Sequence, residues 1–77
     1  MMKIEILKTG LDYEVYMNID GNTYGATQHI ATYGTARKAM LKAVKIKDEI
    51  PFLKINIDKE TAHQLGGWSA NWNVEVI

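Results

Sequence analysis

The side chains that could carry out reactions are few: two histidines, one serine and no cysteine in 77 residues. His29 and His63 have no second ligand at a spacing that would put both on one face, and no His-x-x-x-His pair or helically spaced acid accompanies them, so no metal site is expected. Ser69 lies between Trp68 and Ala70, outside any Gly-x-Ser-x-Gly elbow, and reads as a loop serine. Among the acids, Asp20 is explained by a turn and Asp58 by a helix cap, which leaves Glu60 without a carboxylate partner for acid–base work. Gly21 and Gly25, like the pair Gly66 and Gly67, lack the following Lys and helix that cradle a phosphate. Without cysteine there is no disulfide, thiolate metal ligand or Cys nucleophile. The expectation is a protein that is not an enzyme and takes no cofactor.

Residues suited to contact are better represented. Lys38, Lys42 and Lys45 stand at i, i+4 and i+7, which brings three ammonium groups to one side of a helix with Arg37 near its start; Glu49, four residues after Lys45, partly offsets them. The ordinary reading of such a stripe is a solvated face. Nine Lys plus Arg balance nine Asp plus Glu, which argues against an affinity built on neutralising many phosphates. Three aromatics fall outside the expected core. Period-2 alternation sends Tyr16 outward if Tyr13 and Val15 face in, and Phe52 outward if Leu53 and Ile55 face in. Trp68, in Gly-Gly-Trp-Ser-Ala, either folds back as a lid on a small core or stands out as a binding anchor.

The elements that position these residues follow from periodicity. Ile4 and Ile6 alternate with Lys3 and Glu5 in a strand over residues 2–7, which Thr9 and Gly10 turn. Tyr13, Val15, Met17 and Ile19 alternate with Glu14, Tyr16, Asn18 and Asp20 as a second strand. Asp20-Gly21-Asn22 turns the chain into a third over 23–30, with Tyr24, Ala26 and Ile30 inward. The three form an antiparallel meander whose outer surface carries Glu14, Tyr16, Asn18, Gln28 and His29. Thr35 caps a helix over 36–49 with Ala36, Ala39, Met40, Ala43 and Val44 on its packing face; Leu41 and Ile46 fall on opposite flanks, and one of them stays near the surface. Pro51 ends the helix, Leu53, Ile55 and Ile57 mark a fourth strand, and Asp58 caps a short helix over 59–65 that Gly66 closes. Trp72, Val74 and Val76 make a last strand.

The hairpin strand Tyr13-Glu14-Val15-Tyr16-Met17-Asn18-Ile19-Asp20-Gly21 and the helix opening Gly34-Thr35-Ala36-Arg37-Lys38-Ala39 give residues 4–44 an order that resembles the later part of double-stranded-RNA-binding domains. The resemblance implies phosphate contact by a Lys-rich helix start. At the corresponding places stand Ala36, Arg37 and Met40, so one basic position of three is kept, and that family's first helix is absent. HicB-type antitoxins are similar in the same order of strands and helix, which implies a protein partner. In size, charge balance and α+β layout the chain also resembles small phage anti-CRISPR and other anti-defence proteins.

Taken together, the sequence predicts one α+β domain over residues 1–77: an antiparallel sheet of four to five strands with one long helix packed on one face, in the order β-β-β-α-β-(short α)-β. No run of about 18 apolar residues and no leader pattern at the start predicts a non-membrane protein of the cytoplasm, the host's if phage-encoded. The expected function is a non-enzymatic protein-binding module, an anti-CRISPR-like phage or mobile-element inhibitor that occludes a larger host protein or ribonucleoprotein complex. It would use Tyr16, Phe52 and Trp68 as anchors and Arg37, Lys38, Lys42 and Lys45 for steering. The alternative is a nucleic-acid binder using the same Lys and Arg stripe. Either a monomer or a homodimer paired through the strand at 72–77 is compatible with the sequence.

Overall fold

Alternating β-branched and polar residues and one alanine-rich helical stretch resolve, in the computed structural model of the chain, into five strands and two α-helices; the structure describes residues 2–18 and 27–77. β1 (Lys3–Thr9) and β2 (Asp12–Asn18) form a hairpin with a two-residue connection in which Gly10 takes φ +61°, a conformation that an L side chain strains to adopt. β3 (Thr27–Tyr33) pairs antiparallel with β2. The expected turn Asp20-Gly21-Asn22 and the residues Ile19, Tyr24 and Ala26 lie outside the described residues. The third strand also runs on to Tyr33, beyond the expected end at Ile30. Val15 faces Ala31 while Tyr16 faces His29, so Ile30 is the extra residue of a bulge, and it leans half-buried against the core.

α1 (Ala36–Glu49) starts on Thr35, whose hydroxyl accepts from the Lys38 N–H at 3.2 Å. Ala36, Ala39, Met40 and Ala43 are its buried face, and three of these four carry a single methyl, so the helix lies close on the sheet. Beneath it are Ile4 and Ile6 of β1, Tyr13 and Val15 of β2, and Ile55 and Ile57 of β4 (Lys54–Ile57). Asp58 caps α2 (Lys59–Leu65), which adds Leu65 and the buried Thr61 to the same side. A 3-10 helix, Gly66–Asn71, then leads to β5 (Val74–Val76).

The sheet order is β3-β2-β1-β4-β5, and it corrects the expectation of an antiparallel sheet: β4 runs parallel to β1, and β5 parallel to β4. Parallel neighbours cannot be joined by a tight turn, so α1 carries the chain from the β3 edge across to β4, while α2 and the 3-10 helix carry it from β4 to β5. Asp58 joins the two halves. Its carboxylate accepts from the Thr61 N–H at 2.9 Å and from the Lys8 N–H at 2.8 Å, tying the α2 start to the end of β1. Burial works against this charge, but the donors around it, the Lys8 and Thr61 N–H groups among them, outweigh it and hold the carboxyl below its ordinary pKa.

Asn56 alternates with Ile55 and Ile57, which places it on the outer surface of the sheet. It does lie there, between Glu5 and Glu75 on the neighbouring strands, yet it is only 7% exposed, because a short side chain in an inner strand is overtopped by longer neighbours. Its Oδ1 is buried and has no hydrogen-bond partner among the described residues. Asn56→Val is therefore expected to raise stability in urea by about 1 kcal/mol, since it removes an unpaired polar group and supplies a β-branched residue. Ile57→Ala, from the opposite side of the same strand, should lower it by about 3 kcal/mol. A loss on Asn56→Val would show that the amide has a partner in solution.

Candidate functional site

The residues singled out from the sequence occupy separate surfaces. The lysine stripe is real: Lys38, Lys42 and Lys45 line one flank of α1 where the helix faces the end of β3. They share a shallow cleft of about 340 Å³ with Leu41 and Tyr33. Leu41 is the flank residue left at the surface, 53% exposed, whereas Ile46 on the other flank is half-buried against the core. Lys stems cover apolar surface while their ammonium groups stay in water, so this flank is apolar at its base and cationic at its rim. Ion pairs among the described residues join Lys8 to Glu60, His29 to Glu14 and Lys54 to Glu75; none involves the three stripe lysines, and the expected offset of Lys45 by Glu49 is not made.

Arg37 does not belong to that stripe. Its guanidinium sits 4.6 Å from the centre of the Trp68 ring, on the side of α1 that borders a second cleft with Tyr13, Thr35 and Gln64. Trp68 in turn meets Trp72 edge to face at 4.6 Å between centroids. The stretch expected as a loop is the 3-10 helix, which Gly66 reaches at φ +57°. Trp68 is thus half-buried and packed against the core, which favours the lid over the free anchor. Phe52 is the reverse case: it lies in the turn between α1 and β4, ahead of the strand, and is 69% exposed.

Tyr16 stands on the sheet surface that neither helix covers, half-buried among polar neighbours. The Glu14 carboxylate accepts from the hydroxyls of Thr9 and Thr32, each at 2.9 Å, and from Tyr16 Oη at 3.5 Å. His29 Nε2 lies 3.1 Å from Glu14 Oε1 and 2.9 Å from Thr32 Oγ1, with its ring edge-on to Tyr16. The Thr9 hydroxyl first, and the Thr32 hydroxyl next, pull the Glu14 carboxyl below the ordinary glutamate range; burial opposes them and His29 adds a smaller pull. No group of three or more His, Cys, Asp or Glu among the described residues is arranged to hold a metal ion.

Sequence reasoning missed Tyr33 and Thr32, because the third strand was ended at Ile30, three residues early. Leu41 was noticed as a flank residue but not joined to the lysines. The signal was there: Leu41 lies three residues after Lys38 and four before Lys45, on the same side of the helix. No helix among the described residues is long and apolar enough to cross a membrane. Comparison with protein-family models, with curated proteins and with solved structures finds no match to this chain.

Two outcomes are expected. Trp68→Ala should cost about 2 kcal/mol in a denaturant melt, a partly buried indole being lost, while Phe52→Ala stays within about 0.5 kcal/mol of wild type; equal effects would contradict the assignment of Trp68 as a lid. Because Glu14 titrates lower folded than unfolded, the stability its network adds is complete above the unfolded pKa of about 4.5 and is lost as the pH falls through the lower folded value. Thr9→Val should move the NMR titration midpoint of Glu14 upward; an unmoved midpoint would assign the shift elsewhere.

Proposed function

We propose that this chain is a non-enzymatic protein-binding module whose contact surface is the flank of α1 beside β3, formed by Tyr33, Lys38, Leu41, Lys42 and Lys45. The observation that carries the reading is Leu41: a large apolar side chain half out of a rigid helix, rimmed by lysines that have no ion-pair partner among the described residues. Desolvating Leu41 against a partner supplies affinity, and the three cations speed encounter with an acidic surface and orient it. A phosphate backbone would use the cations but gain nothing from the leucine. Arg37, engaged by Trp68, is not among the steering charges of this surface. In its narrower form the proposal is an inhibitor of the kind that phage and mobile elements carry, anti-CRISPR-like, which acts in the host cytoplasm by covering part of a larger complex.

The test is a titration of the purified partner against wild type, Leu41→Ala and the triple Lys38→Ala/Lys42→Ala/Lys45→Ala variant over a range of salt. Leu41→Ala should weaken binding by about tenfold with little change in salt dependence. The triple variant should slow association and flatten the salt dependence. Saturable binding to duplex RNA or DNA that falls steeply with salt and ignores Leu41→Ala would overturn the reading in favour of phosphate contact.

A further inference from the structure

β3 is a seven-residue edge strand: β2 pairs with one of its sides, and nothing among the described residues pairs with the other. Its outer backbone N–H and C=O groups are therefore a template for another extended chain. The bulge at Ile30 divides that edge in two, and the later part, residues 31–33, ends in Tyr33, which lines the cleft with Lys38, Leu41, Lys42 and Lys45. An open strand edge and a basic, apolar-floored cleft thus adjoin.

Resting on the protein-binding reading above, we infer that the partner presents an extended, acidic segment that adds to the outer edge of β3 as a sixth strand, with its helix-side side chains in the α1 cleft. The spacing suits one pattern. Alternate residues of a strand stand about 6.8 Å apart on one face. Along α1, Lys38 and Lys42 are about 6 Å apart and Lys42 and Lys45 about 4.5 Å, with Leu41 between the outer two. An acid-x-apolar-x-acid segment sets its acids about 13.6 Å apart, against a rise of about 10.5 Å from Lys38 to Lys45, a difference the flexible lysine stems take up while the central apolar side chain meets Leu41 and Tyr33. The edge at the opposite end of the sheet does not compete for such a segment. β5 has only three residues, and the neighbouring Lys54 already faces Glu75.

The probe is a capped synthetic peptide with the core Glu-Thr-Leu-Thr-Glu, titrated into the full isotope-labelled chain and followed by amide NMR. Saturable shifts are expected both at residues 31–33 and along α1 at 38–45, with slowed hydrogen exchange on β3. Methylating alternate backbone nitrogens of the peptide should weaken binding by about tenfold or more, because it removes main-chain pairing. Replacing its Glu residues by Lys, or Lys42→Glu in the protein, should weaken it comparably. Equal binding of the methylated and unmethylated peptides, with shifts confined to α1, would overturn the edge pairing while leaving the protein-binding surface in place. Absence of saturable shifts up to about 1 mM peptide, the weak limit for a specific contact, would overturn the acidic-strand inference itself. A duplex oligonucleotide that moves the α1 amides and displaces the peptide would overturn this inference and the protein-binding reading together.

Discussion

The close seating of α1 on the sheet is the constraint on which the other features depend. Ala36, Ala39 and Ala43 add little bulk between helix and strands, so Met40 and the isoleucines of β1 and β4 pack into one buried cluster with them. A chain of this length can build one such layer and no second, and apolar residues beyond it have to lie at the surface or at its rim. Leu41 is at the surface because the helix is wide in apolar residues and the sheet takes only one side of it. Its exposure follows from the same geometry that buries the alanines.

The crossover of α1 also explains why the sheet is mixed. The chain leaves the edge at β3, passes over the inner strands and returns at β4 beside β1, which makes that pairing parallel and leaves β3, among the described residues, paired on one side only. Had β4 paired antiparallel with β3, that edge would have been filled and the α1 cleft would have had a strand along its border. Asp58 then fixes the join: one carboxylate serves the cap of α2 and the last part of β1, so the second crossover starts from a defined point.

On the two sides of the sheet, the polar groups solve different problems. Beneath the helices the described residues are almost all apolar, and the charge of Asp58 at their border is held by backbone donors. On the uncovered side Glu14 gathers two threonines, a tyrosine and a histidine from three strands, which organises the surface without enclosing it. Lysines beyond this network, on the outer flank of α1, are left with their charge unspent against the protein itself.

Periodicity was enough to place α1 from Ala36 to Glu49, its Thr35 cap, the α2 segment under Asp58 and the buried isoleucines, because helix and strand repeats and cap chemistry are local properties of the chain. The lysine stripe was legible for the same reason: residues at i, i+4 and i+7 share a side whatever the helix packs on. Strand direction was not legible, since alternation looks the same in parallel and antiparallel pairs. Nor was the burial of Asn56, the stacking of Arg37 on Trp68 or the sharing of one cleft by Tyr33 and Leu41. Each of these depends on which distant segment lies alongside, and only the path of the crossovers through space decides that.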